Sequence, residues 1–228
     1  PEGAHATMME ASRWLFLAAS TVNAVRLGGT PSMRRAMSQM VATSPQVQKD
    51  EISAENPLHV LIAGAGVGGL ALANQLELSD AHVTYTVLER TKEFRKFGGP
   101  IQLASNAMES LRSLDGELYS EIEGRATWTG NRTNGIKDGI RDEWYAKFDL
   151  KSPAQSRGMP YTCVVERPEL QEIMMRRTNH NIRTASGVES YRTNADGSIT
   201  AIIDGGEEVH GDVLIGADGI WSNVRASM

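Results

Sequence analysis

The run His59-Val60-Leu61-Ile62-Ala63, followed at once by Gly64-Ala65-Gly66-Val67-Gly68-Gly69, constrains this chain more than any other stretch. A continuous apolar run with β-branched members suits a strand buried on both faces, as strands of a parallel sheet are. The glycines fit G-x-G-x-x-G, and Leu70-Ala71-Leu72-Ala73-Asn74-Gln75-Leu76 continues as a helix of good formers. Val83-Thr84-Tyr85-Thr86-Val87-Leu88 reads as a second strand, closed by Glu89-Arg90. The fold class that follows is α/β, with a Rossmann-like parallel sheet beginning near Leu58.

Each position in this unit has a mechanical role. Gly64 permits the tight turn out of the strand, Gly66 lets a pyrophosphate approach the backbone, and Gly69 lets helix and strand pack closely. The helix N-terminus then offers free N–H groups and the positive end of its dipole to phosphates. Glu89 lies 20 residues after Gly69, at the carboxyl end of the second strand. There its carboxylate can accept from both ribose hydroxyls, and it repels a 2′-phosphate. Arg90 beside it joins the candidate cofactor-binding residues. The pattern therefore points to FAD or NAD at this site rather than NADP. A purely structural glycine turn is the alternative, and the acid at the expected distance weighs against it.

Composition narrows the classes. Hydrophobic residues make up 40% of 228, so the chain is not disordered overall. The formal charge of -5, without a basic run, gives no electrostatic footprint for nucleic acid. One cysteine excludes an internal disulfide, and no stretch of about 18 uncharged apolar residues is present to span a bilayer as a helix. No Cys/His cluster has metal-ligand spacing, so no metal is expected. Cys163 lies in an apolar run and reads as a core thiol. His59, His180 and His210 read as structural, loop or strand-edge residues, and no nucleophile–base pair is visible.

Charge is unevenly spread. Residues 1–48 hold four Arg, no Lys and only Glu2 and Glu10, with five of the ten Met and the apolar patch Trp14-Leu15-Phe16-Leu17-Ala18-Ala19. Arg-containing and acid-poor, this segment has the composition of a targeting or transit segment, with Met8 or Met9 as the expected initiator; an addressless tail is the alternative. Residues 49–57, punctuated by proline, read as a linker, and 58–228 as the folded part.

Further along, Gly98-Gly99-Pro100-Ile101-Gln102-Leu103 leads into a helix expected to be capped by Ser105 or Asn106. Thr162-Cys163-Val164-Val165-Glu166 reads as a strand, and Arg167-Pro168-Glu169 opens a helix. Turn signals at Asn194-Ala195-Asp196-Gly197 and Asp204-Gly205-Gly206 predict an antiparallel β-meander between Val188 and Gly211. Asp212-Val213-Leu214-Ile215-Gly216 runs as a strand into the acid-glycine turn Ala217-Asp218-Gly219, with another helix expected from Trp221-Ser222-Asn223-Val224-Arg225.

This series, over residues 58–228, resembles the class A flavoprotein monooxygenases. Within that family it is most similar to the zeaxanthin epoxidase branch of plant and algal plastids. That narrower likeness rests on Gly98-Gly99-Pro100-Ile101-Gln102, Asn134-Gly135-Ile136-Lys137-Asp138-Gly139-Ile140, Trp144-Tyr145-Ala146-Lys147-Phe148-Asp149 and Gly216-Ala217-Asp218-Gly219-Ile220-Trp221-Ser222. The resemblance implies that Gly64, Gly66 and Gly69 cradle the FAD pyrophosphate and that Glu89 holds the adenosine ribose. It implies that Arg167 and Gln102 contact the flavin, and that Asp218 lies by the pyrophosphate and influences NADPH use. Arg167 as a surface helix-start residue, Asp218 as a turn former and Gln102 as a loop residue are the plainer readings.

The same resemblance implies the chemistry. NADPH reduces the flavin, O2 adds at its C4a carbon, one oxygen atom goes to a ring double bond of a xanthophyll, and the other leaves as water. The partners implied are a lipophilic carotenoid and O2, with access to a lipid surface and hence peripheral membrane association, in a plastid. Members of the family have roughly twice this length and a second flavin motif beyond the acid-glycine turn. The chain therefore reads as the N-terminal part of a longer protein, with an incomplete fold and no turnover of its own. Hydroxylation of a soluble aromatic, or a nonredox FAD- or NAD-binding role, are the competing readings; a plain NAD-dependent dehydrogenase fits the meander poorly.

Overall fold

The computed structural model describes residues 52–94 and 98–228. The expected targeting segment at residues 1–48, the start of the linker, and the residues between 94 and 98 lie outside the described residues.

Strand β1 (Leu58–Ala63) is followed by helix α1 (Val67–Glu77) and strand β2 (Val83–Leu88). A four-stranded parallel sheet forms with the spatial order β12 (Val213–Gly216), β1, β2, β8 (Ile182–Arg183). The chain moves outward from β1 to one side and later returns to the other, so β1 and β12 flank a topological switch point, where open α/β sheets bind ligands.

Alternation along β1 explains why both faces are apolar. Val60 and Ile62, with Tyr85 and Val87 of β2, pack on α1 residues Leu70 and Ala73 and on Leu170, Ile173 and Met174 of α5 (Arg167–Thr178). Leu61, Ala63 and Leu88 face the opposite way and meet Val188, Ala201 and Ile203. Those three belong to the predicted meander: β9 (Val188–Thr193), β10 (Ile199–Ile203) and β11 (Glu208–Gly211), with β10 central and both pairings antiparallel. Its turns carry Gly197, Gly205 and Gly206 at positive φ, where glycine is free of steric penalty. The result is three layers: helices, parallel sheet, meander.

A second, antiparallel sheet of β3 (Pro100–Leu103), β7 (Cys163–Glu166) and β4 (Thr127–Trp128) shares the helix-side core. Helices α2 (Ser105–Leu114) and α3 (Gly116–Arg125) join it through Met108, Leu111, Leu118 and Ile122. The sequence expectation of a Ser105 or Asn106 cap is corrected. Only one residue separates β3 from α2, so the cap position falls on Ala104, which makes no side-chain cap bond. Asp115 does cap α3, accepting from the Glu117 and Leu118 N–H groups. The final helix begins at Asn223 rather than at Trp221: α6 (Asn223–Ala226) is capped by Ser222, while Trp221 stays outside it and exposed.

The two blocks Asn134–Lys137 (β5) and Trp144–Phe148 (β6) form a hairpin, with the short helix α4 (Lys151–Ser156) after it. A register shift between Ile136 and Lys137 turns Trp144 onto the face of Gly135, where the Lys137 and Lys147 ammonium groups lie 5.4 and 5.5 Å from the indole centre. Such contacts are cation–π pairs. Among the described residues no helix is long and apolar enough to cross a membrane.

One buried polar bridge locks the helix layer. The Asn74 amide donates to the Leu70 carbonyl of its own helix (2.8 Å) and to the Met174 carbonyl of α5 (2.9 Å). Asn74→Ala removes the inter-helix donor and is expected to destabilise the protein by about 1–3 kcal/mol, read as a lower urea midpoint at unchanged m-value. An unchanged midpoint would show that the bridge contributes nothing.

Candidate functional site

A cleft of about 190 Å³ opens at the carboxyl ends of β1, β2 and β12. Ala63, Gly64 and Gly66 come from the first loop, Leu88, Glu89 and Arg90 from the end of β2, and Ala217, Asp218 and Gly219 from the turn after β12. Arg167 at the head of α5 and Gly187 and Val188 at the start of the meander complete it. Six of the residues singled out from the sequence therefore line one cavity: Gly64, Gly66, Glu89, Arg90, Arg167 and Asp218.

The three glycines have different surroundings. Gly64 has φ +101°, and a Cβ there would lie 2.6 Å from the Ala217 carbonyl oxygen. At Gly69 a Cβ would run into the Gly64 carbonyl, so this glycine lets helix and loop touch without itself lining the cleft. Gly66 differs: it is extended (φ -75°, ψ 177°), precedes the first turn of α1, and would have nothing within 4 Å of a Cβ. That free space borders the open N–H groups of a helix start, a combination suited to an anion.

Glu89 is held by backbone rather than left pointing into solvent. One carboxylate oxygen accepts from the Ala65 N–H (2.7 Å) and the other from the Thr91 N–H (2.8 Å). A carboxylate has about four lone-pair sites, so each oxygen keeps capacity for a hydroxyl donor. Asp218 shows the reverse economy. Its Oδ2 accepts from the N–H groups of Asn223 (2.8 Å) and Val224 (3.2 Å), anchoring the start of α6. Its Oδ1 is buried and has no hydrogen-bond partner among the described residues. Burial pushes the Asp218 carboxyl upward, but the Ser222 side chain and the Val224, Asp218 and Asn223 backbone groups outweigh it and hold the carboxyl below its ordinary value.

Arg90 and Arg167 are exposed at the rim, opposite in charge to Glu89 and Asp218. Arg167 makes no ion pair with any described residue. Gln102 stands on β3 with its side chain exposed and is not among the lining residues. Two contributors carry no motif. Gly187 is needed because a Cβ would meet Asp204 Oδ2 at 2.7 Å and Arg90 Cβ at 2.8 Å, and Gln171 donates to the Ala65 carbonyl (2.8 Å). Neither has a local signal: Gln171 reaches a carbonyl 106 residues away, and Gly187 is crowded by Arg90, 97 residues back, as well as by Asp204. His59 lies on β1 between the Thr84 and Thr86 hydroxyls, away from the lining set. His180 approaches Glu77, and His210 pairs with Thr200 on the meander. Cys163 is fully buried, and burial pushes its thiol up, as for a packed core thiol. Among the described residues no group of three His, Cys, Asp or Glu could hold a metal ion.

The pieces fit a dinucleotide. Gly66 supplies room where a diphosphate needs it, α1 supplies unpaired donors, Glu89 retains acceptor capacity for a ribose, and the orphaned Asp218 Oδ1 lacks a donor that a ligand hydroxyl would supply. Comparison with known proteins decides which group this is: the FAD binding domain family model matches residues 57–228. The chain belongs to that family. Chloroplastic zeaxanthin epoxidase of Arabidopsis thaliana is 40% identical to it over 166 residues, covering 72% of this chain and 25% of that protein. The Spinacia oleracea enzyme is 36% identical over 194 residues, covering 82% and 29%. The chain thus spans between a quarter and three-tenths of the length of these relatives. Among solved structures, Klebsiella pneumoniae HpxO complexed with FAD and uric acid superimposes with a TM-score of 0.62 at 26% identity, covering 74% of this chain and 41% of that one. 2-Methyl-3-hydroxypyridine-5-carboxylic acid oxygenase does so with a TM-score of 0.60 at 21% identity, covering 75% and 42%, a likeness of fold.

Two outcomes follow from the site's geometry. Gly64→Ala places a Cβ against the Ala217 carbonyl in a left-handed backbone conformation, and is expected to lower stability by about 1–3 kcal/mol in denaturant titration. For Asp218 the folded carboxyl titrates below its unfolded value, so the native state binds its proton less readily. Its contribution is fully present above the ordinary aspartate range near pH 4 and is lost as pH falls through the folded value. The stability gap between the native protein and Asp218→Asn should therefore close on acidification, and a gap independent of pH between 6 and about 2 would contradict this.

Proposed function

We propose that this chain forms the dinucleotide-binding part of an FAD-dependent monooxygenase that uses NADPH and O2 to epoxidise a ring double bond of a xanthophyll, converting zeaxanthin to its epoxides. The observation that carries the cofactor reading is Gly66: a cradle with no atom in the Cβ position, at the mouth of a helix, in a family of FAD binding domains. The substrate reading is supported by identities of 36–40% to chloroplastic zeaxanthin epoxidases, against 26% to HpxO. The same relatives support a plastid location for the whole protein, and a carotenoid substrate would bring it to a lipid surface.

Bound FAD would supply the redox chemistry, accepting electrons from NADPH and passing them to O2. Overall, NADPH, a proton, O2 and the olefin are consumed, and NADP+, water and the epoxide are formed. The chain's own residues bind and orient. The Gly66 N–H and the open amides of α1 would donate to the diphosphate. The remaining lone pairs of Glu89 would accept from the adenosine ribose, and Asp218 Oδ1 would accept from a hydroxyl of the cofactor. Arg90 and Arg167 would offset the diphosphate charge at the rim. Glu89 also disfavours the 2′-phosphate of NADPH in this crevice, which reserves it for FAD.

The direct test is titration of the protein with FAD, followed by flavin fluorescence and by the visible absorbance of bound flavin. Uptake is expected, with bleaching by NADPH, recovery in O2 and epoxide formation from zeaxanthin in the whole protein. A protein that stays colourless at saturating FAD defeats the reading. Gly66→Val gives a sharper result. The backbone there is unstrained and the space is empty, so the fold should persist by circular dichroism while FAD affinity falls on the order of tenfold or more.

A further inference from the structure

Both backbone groups of Ala65 are held by side chains from other elements. Its N–H donates to Glu89 Oε2 at 2.7 Å, and its carbonyl accepts from Gln171 Nε2 at 2.8 Å. Gln171 stands four residues after Arg167, one turn further along α5. Because the acceptor is a carbonyl, the side-chain amide must present its NH2 to the loop. The helix that carries it is itself tied to α1 through the Asn74 bridge to the Met174 carbonyl, so the donor is rigidly placed.

The peptide joining Ala65 to Gly66 is planar and trans, so its carbonyl and its N–H point in opposite directions. With the carbonyl drawn towards α5, the Gly66 N–H is turned the other way, and Gly66 lines the cleft. A glycine allows this peptide to rotate easily. The rotated form would aim a carbonyl lone pair, rather than an N–H, at an anion in the cradle. We infer that Gln171 is a positioning residue for the cofactor diphosphate: its hydrogen bond to the Ala65 carbonyl selects the loop conformation in which the Gly66 N–H faces the phosphates. This rests on the FAD reading above and deepens it. The preceding turn of α5 brings Arg167 to the rim, so one helix supplies both a guanidinium and the clamp on the loop.

Three substitutions separate the donor from the packing. Gln171→Met keeps length and removes the donor, Gln171→Glu keeps shape and faces the carbonyl with an acceptor, and Gln171→Lys restores a donor. FAD dissociation constants from flavin fluorescence, and 31P resonances of the bound diphosphate, are the readouts. Met and Glu are expected to weaken FAD about tenfold and to move the 31P resonances towards those of free FAD. Lys should stay within about twofold of the native protein, with native 31P positions. Unaltered affinity and 31P positions in Met and Glu would overturn the inference, as would a Lys variant as impaired as Met. If the native protein itself takes up no FAD, the cofactor reading falls and takes this inference with it. Native uptake with indifferent variants removes Gln171 alone.

Discussion

The close approach of the Gly64–Gly69 loop to the turn after β12 is the constraint on which the rest depends. The Ala217 N–H donates to the Ala63 carbonyl at 2.8 Å, and the Gly64 N–H donates to the Leu88 carbonyl at 2.8 Å. Three strand ends are thereby sewn together at one point, with room for backbone and no room for a Cβ at Gly64 or Gly69. The cleft is what remains on the open side of that seam. Every charged group around it sits on a residue within a step or two of a strand or helix end, and the two carboxylates, Glu89 and Asp218, are aimed by hydrogen bonds from backbone N–H groups.

That seam holds because β1 is buried from both sides. Leu61 and Ile62 are fully buried, yet they face different layers: Leu61 the meander, Ile62 the helices. Neither layer alone would exclude water from the strand. The polar links then set the register of the layers to one another. Asn74 bridges α1 to α5, Gln171 joins α5 to the glycine loop, Glu89 joins β2 to the same loop, and Asn223 donates to the Val188 carbonyl of the meander. Each replaces a solvated backbone group with a partner of fixed direction, which is how buried polar groups specify one arrangement among several apolar packings.

Much of this was legible along the chain. The strand at Val83–Leu88 and the three-stranded meander appear at the expected residues because both are written in local signals: alternating or β-branched runs bounded by glycine turns. The cap of α2 was misplaced because Ser105 has the chemistry of a cap, whereas the tight join to β3 decides which residue occupies that position. The last helix starts after Trp221 rather than at it, because Ser222 takes the cap position. Six of the eight singled-out residues converge on the cleft. Gln102 does not line it, because β3 belongs to another sheet, and Gly69 acts from behind the loop.

The sequence by itself determined the kind of element in the β1–α1–β2 unit, at β7 and α5, and in the meander, and the chemistry available there. Glycine spacing, apolar runs and an acid at a strand end are properties of neighbouring residues, and the backbone responds to them locally. Only the tertiary structure decided which lone pairs are already taken. The two oxygens of Glu89 rest on the Ala65 and Thr91 N–H groups, Asp218 spends one oxygen on α6 and leaves the other bare, and Gln171 reaches the loop from 106 residues away. Those facts depend on how layers pack, and packing is a property of the whole core that no short stretch of chain encodes.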